Sequence, residues 1–189
     1  MNFLPHSNLK GQHAFLSASK YHWINYTLEK LIASYDNFLA AQYGTILHDF
    51  AERCIRLKQK LPRSKKALNM YVNDAIGYRM TPEQLLYYSD NCFGTADTIS
   101  YDEKEKLLRI HDLKTGVVPA HMDQLEIYTA IFCLEYEVDP SDIKVELRIY
   151  QGTEVLCHSP DPERIKQIIT TIVKFDKVID KMKEERQLE

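Results

Sequence analysis

The residues from 93 to 114 constrain this chain most, because they read as two strands that fold back on each other. Residues 93–100 and 106–114 carry strand-forming side chains, and the polar Tyr101-Asp102-Glu103-Lys104-Glu105 between them supplies a turn. Side chains alternate along a strand, so Asp112 and Lys114 share a face with Ile110. Asp97 sits on the partner strand and meets that face if the register allows. Two carboxylates and an ammonium at one place suit a divalent cation and a water attacking a phosphate.

Two helical stretches flank the hairpin. Upstream, Gly44-Thr45-Ile46-Leu47-His48-Asp49-Phe50-Ala51-Glu52 places His48 and Glu52 one turn apart on one face. Downstream, Gln124 and Tyr128 share a helix face in the same way. The order is a histidine on a helix, Asp97 on a strand, Asp112-x-Lys114 on the next strand, and Gln-x-x-x-Tyr on the following helix. This order resembles the RecB-type branch of the PD-(D/E)XK nucleases, especially the compact phage-type nucleases related to lambda exonuclease and the CRISPR-associated RecB-like exonucleases. The resemblance covers residues 17–150. It rests on Gly44 with His48, Gly94 with Asp97, Asp112-Leu113-Lys114-Thr115-Gly116, and Gln124 with Tyr128. Leu16-Ser17-Ala18-Ser19, with Trp23 and Asn25, echoes the N-terminal segment of the phage proteins.

The resemblance implies a restriction-endonuclease-like α/β core, with a small mixed central sheet flanked by helices and a mainly helical N-terminal part. It implies a DNA nuclease dependent on one or two Mg²⁺ or Mn²⁺ ions, most naturally an exonuclease in recombination, repair or end processing. Asp97, Asp112 and Lys114 would be catalytic. His48, Asp97, Asp112 and the main-chain carbonyl of Leu113 would hold the metal, with Glu52 as a partner for His48. Gln124, Tyr128, Thr115 and Gly116 would position the substrate. DNA is the implied partner, beside a recombination or repair protein, and ring-forming relatives make a homo-oligomer an open expectation. Several relatives also hold an iron–sulfur cluster through one early and three late cysteines. Here Tyr26 stands at the early position and no cysteine follows Cys157. Cys54, Cys92 and Cys133 are scattered, so no cluster is predicted.

Each part taken singly has a plainer reading: a partly buried histidine, a strand surface ion pair, a helix boundary. His111, His121 and Glu126 lie near these motifs but are not predicted to be ligands. A non-catalytic nucleic-acid-binding or partner-binding module on the same fold is the competing expectation. A net charge of −3 argues against a generally basic nucleic-acid binder. Locally, however, Arg53, Arg56, Lys58, Lys60, Arg63, Lys65 and Lys66 follow one another with no acid between them. They suit either a phosphate backbone or the solvated end of a helix.

At 189 residues, with 44% hydrophobic and 27% charged residues, the chain reads as one nuclease domain over 1–189. The expected parts are an arm (1–16), a mainly helical region (17–92), the hairpin, helix and sheet (93–158), and a C-terminal helix (159–189). No membrane span or signal peptide is read, and unpaired cysteines point to the cytoplasm. Helices are predicted over 19–32, 37–60, 64–78, 84–89 and 122–137. Thr81-Pro82-Glu83 reads as the start of the fourth. Strands are predicted over 143–150 and 154–158, and Ser159-Pro160-Asp161-Pro162-Glu163 opens the last helix.

Overall fold

The computed structural model describes residues 3–116 and 118–187; the outermost residues of the expected arm and C-terminal helix lie outside them. The chain divides into two compact units, Met1–Thr45 and Ile46–Glu189.

Short 3-10 helices at Ser7–Leu9 and Ala18–Asn25 lie in the first unit and precede a long helix, α1 (Leu28–Arg56), whose residues from Ile46 onward belong to the second unit. Phe15 packs against Tyr35 and Phe38, with ring centroids 5.0 and 5.3 Å away. The two helices expected over 19–32 and 37–60 are replaced by this one helix. Thr27, not Ser19, caps it, its hydroxyl accepting the Lys30 N–H at 3.2 Å. The Ser19 hydroxyl is spent on Ser17. Helix α1 ends at Arg56 rather than at residue 60, because Lys58 turns left-handed (φ 54°). The Gln59 N–H then closes on the Cys54 carbonyl at 2.8 Å, a Schellman ending.

In the second unit, five strands form a mixed sheet in the order β1-β2-β3-β4-β5. They are β1 (Thr81–Ser89), β2 (Cys92–Asp102), β3 (Leu107–Lys114), β4 (Lys144–Gln151) and β5 (Glu154–His158). The first three run antiparallel, and β4 lies parallel to β3. A parallel neighbour requires a crossover, supplied by α3 (Asp123–Glu135). Strand β5 returns as a hairpin on β4. Helices α2 (Ala67–Gly77) and α4 (Pro162–Gln187) complete the α/β architecture. The expected helix 64–78 is thus shorter at its start.

Alternation splits the apolar residues between two cores. Leu108, Ile110, Leu147 and Ile149 pack with Leu125, Phe132 and Cys133 of α3 and Ile165 of α4. Leu113 and Tyr150 pack instead with Tyr71, Val72 and Ala75 of α2, and with Ala51, Cys54 and Ile55 at the end of α1. Cys54 and Cys133 are therefore core thiols in separate clusters.

Residues 81–89 are a strand, not the helix start and helix read from Thr81-Pro82-Glu83 and 84–89. Pairing with β2 outweighs the local cap signal, because it buries Leu86 to 1% exposure against the first core. Strand β1 is an edge, where a proline at position 82 is tolerated. Ala96 and Ile99 both enter the first core although three positions separate them. Alternation therefore slips at Asp97-Thr98. Pro82 pairs with Thr98 and Gln84 with Ala96, which leaves Glu83 across from Asp97. Glu83 has φ 51°, the left-handed region that a non-glycine residue enters at a cost of about 1–2 kcal/mol. Among the described residues, no other non-glycine residue inside a strand does so.

Candidate active site

The slip in β2 determines where Asp97 points. Its Oδ2 accepts the Leu113 N–H of β3 at 3.0 Å and lies 3.4 Å from His48 Nδ1 on α1. Burial raises the Asp97 pKa from 3.8 to about 6, and the Asp112 carboxylate adds to the effect. The Leu113 N–H and His48 oppose it. A carboxylate held in this way gains from a nearby cation.

Asp112 is only 3% exposed. Its Oδ1 accepts from Lys114 Nζ at 3.1 Å. Oδ2 lies equally close to that ammonium but off the hydrogen-bonding angle, and it is buried without a hydrogen bond. Lys114 Nζ also donates to Gln124 Oε1 at 2.9 Å, and Gln124 Nε2 donates to Tyr128 Oη at 3.3 Å. A carboxylate, an ammonium, an amide and a phenol thus form one chain from β3 to α3. A Cβ on Gly94 would lie 3.0 Å from Tyr128 Cε1, so glycine makes room for this tyrosine.

The four parts of the sequence pattern stand on the expected kinds of element: His48 on α1, Asp97 on β2, Asp112 and Lys114 on β3, Gln124 and Tyr128 on α3. No family model, no curated protein and no solved structure matches this chain. The site is therefore judged on its own chemistry.

Some expected roles are redistributed. Glu52 does not hold His48; its Oε1 accepts from Arg56 Nε at 2.7 Å, one turn along the helix. Thr115 and Gly116 are exposed, and a Cβ at Gly116 would meet nothing within 4 Å. Gln151 instead anchors this segment, donating to the Gly116 carbonyl at 2.7 Å. Glu83 was missed altogether. One ligand atom each from His48, Glu83 and Asp97 lie within 4.8 Å of one another, whereas Asp112 forms no such triad with any two of them. Desolvation and the neighbouring Glu52 raise the Glu83 pKa, and His48 opposes them.

Two nearby groups, His111 and Glu126, serve the fold. His111 is fully buried, and burial, helped by Arg148 and Arg109, pushes its pKa down to about 3. Its Nδ1 lies 3.3 Å from the Tyr150 hydroxyl, which donates to Asp74 at 2.7 Å. Glu126 pairs with His158 and Arg164 at 3.2 and 3.1 Å. His121 is exposed.

The basic run lies on the last turns of α1 (Arg53, Arg56) and on the loop beyond (Lys58, Lys60, Arg63, Lys65, Lys66), all exposed. Asn73 brackets Leu61 through its N–H and carbonyl at 2.9 and 3.0 Å, and Asn69 donates to the Pro62 carbonyl. The loop is thus fastened to α2 while its cations face solvent. Arg56 is neutralised locally by Glu52.

The donor set fits a hard or borderline divalent cation. Carboxylates suit Mg²⁺, and an added imidazole suits Mn²⁺ equally well. Asp97 is the group whose burial such an ion would compensate, whereas Asp112 already has the Lys114 ammonium 3.1 Å from each carboxylate oxygen.

Proposed function

We propose that the chain is a metal-dependent deoxyribonuclease that hydrolyses phosphodiester bonds, an exonuclease acting in DNA recombination, repair or end processing. One observation carries this reading: the half-buried Asp97 and the buried Asp112 stand close enough to influence each other where the β2–β3 pairing ends, Asp97 beside an imidazole and Asp112 beside an ammonium positioned by Gln124 and Tyr128. A structural ion pair needs no second buried carboxylate and no relay to α3.

His48, Asp97, Asp112 and the Leu113 carbonyl would hold Mg²⁺ or Mn²⁺. The ion would supply Lewis acidity toward the phosphoryl oxygen and a lowered pKa for water. Lys114 places a positive charge beside the scissile phosphate and offsets the charge that develops there. Asp112 and Gln124 fix the ammonium from two sides, so little reorganisation is needed when substrate arrives. Tyr128 holds the amide that holds Lys114. The cations at residues 53–66 would take the flanking phosphates, and DNA would be the partner.

The test is a cleavage time course on linear duplex, linear single strand and closed circle, labelled separately at the 5′ and 3′ ends, with Mg²⁺, Mn²⁺ or chelator. Linear DNA should be lost only with metal, and Lys114→Ala should lower the rate by about 10²–10³-fold. Binding without cleavage under either metal would overturn the enzyme in favour of a binding module. Cutting of closed circles would replace exonuclease by endonuclease.

A further inference from the structure

Away from the carboxylates, a cavity of about 480 Å³ opens where the carboxyl end of α3 meets β1 and β2. It shares no residue with the site described above. Its volume lies within the range of small-molecule pockets, about 300–1,000 Å³. Leu86 and Ile99 line it from the sheet. Three aromatic rings line it as well, Tyr101 and Tyr136 each packing on Phe132, with centroids 5.4 and 4.8 Å away. Core packing accounts for Phe132, which is 6% exposed, but not for Tyr136, which stays 53% exposed at the cavity.

The charge around this cavity has one sign. Glu103, in the β2–β3 turn, lines it; the neighbouring Glu105 pairs with Lys144 at 3.9 Å, whereas Glu103 enters no salt bridge among the described residues. Thr81, Gln84 and Ser100 add neutral polar groups, and among the described residues no lysine, arginine or histidine lines it. Glu137 turns left-handed (φ 54°) and folds the Val138 N–H onto the Cys133 carbonyl at 3.0 Å. That ending sets the last turn of α3, with its partial negative charge, against the cavity wall. Aromatic rings, a free carboxylate and a helix carboxyl terminus all favour positive charge and disfavour a phosphate or carboxylate ligand. A bare metal ion fits poorly, because one carboxylate among apolar walls supplies too few oxygen ligands. We infer that this cavity binds an organic cation, an alkylated ammonium on a small apolar or hydroxylated body. The inference is independent of the nuclease reading. A free amine and a methylated lysine of a partner chain carry the same group.

Proton NMR titration of the full chain with choline, and with its neutral carbon isostere 3,3-dimethylbutan-1-ol, tests this. The choline methyl resonance should move upfield beside the rings, and choline should bind about tenfold more tightly than the isostere, as cation–π attraction at a partly desolvated site supplies. Tyr136→Leu keeps an apolar wall and removes a ring; Glu103→Gln keeps the shape and removes the charge. Both residues are exposed, so the fold should survive, and each change should cut the preference for choline by about threefold or more. A trimethyl-lysine peptide that binds more tightly than choline would place the cation on a partner chain, and weaker binding would assign it to a free amine. Equal binding of choline and the isostere, binding of neither, or a preference unchanged in both variants overturns the inference.

Discussion

Asp97 shows how a single residue links the site to stability. Its pKa is higher in the folded chain, about 6, than the ordinary 3.8 it regains on unfolding. Between those values the native state holds more protons than the unfolded state, so metal-free stability falls as pH rises through the window. Each unit of separation is worth about 1.4 kcal/mol. Urea unfolding in chelator should therefore show stability declining from the lower value to the upper one, and Asp97→Asn should flatten that decline. If the site takes Mn²⁺ as proposed, adding it should reverse the trend, since the ion would bind the ionised carboxylates. A wild-type profile that is flat in chelator would show that Asp97 titrates normally. The same residue marks what a sequence can disclose. Asp97, Asp112, Lys114, Gln124 and Tyr128 were legible because fixed spacings placed them on neighbouring elements. Glu83 was not, because nothing in Thr81-Pro82-Glu83 signals a left-handed residue facing Asp97 across a ladder.

Element by element, legibility followed how local the determining signal was. Strand β4 alternates cleanly between apolar and charged residues, and β2 and β3 flank a polar turn, so all three lie within two residues of their expected bounds. Strand β5 lies over its expected residues, 154–158. Helix α1 was divided wrongly: one helix, capped by Thr27, runs straight through the break expected between residues 32 and 37. Strand β1 was missed for a tertiary reason: Thr-Pro-Glu is a sound helix start, yet burial of Leu86 beside β2 prevails. That assignment makes neighbouring leucines unequal. Leu86 is 1% exposed and Leu85 50% exposed on the opposite face of the strand. Leu86→Ala should cost about 2–5 kcal/mol. Leu85→Ala should stay within about 0.5 kcal/mol, the range of ordinary surface changes. Denaturant midpoints at constant slope would measure both, and equal costs would contradict the strand.

Across the whole molecule, charge is distributed against its total. The chain carries −3 overall, yet every charged residue from Arg53 to Lys66 is basic and exposed. No helix among the described residues is long and apolar enough to cross a membrane. Glu52 already pairs with Arg56, whereas Lys65 and Lys66 enter no salt bridge among the described residues. A repelling global charge with an attractive local patch makes binding steeply salt-dependent, because each neutralised phosphate releases counterions. The logarithm of duplex affinity should fall linearly with the logarithm of salt, by about 0.9 for each phosphate contacted. If Lys65 and Lys66 each meet a phosphate, Lys65→Gln with Lys66→Gln should shallow that slope by up to about 1.8, twice the single-contact value. Binding by fluorescence anisotropy in Ca²⁺, across a salt series, reads the slope without requiring cleavage. An unchanged slope would detach these two lysines from the DNA path and restore them to the role of a solvated loop, leaving the carboxylate site to be judged on cleavage alone.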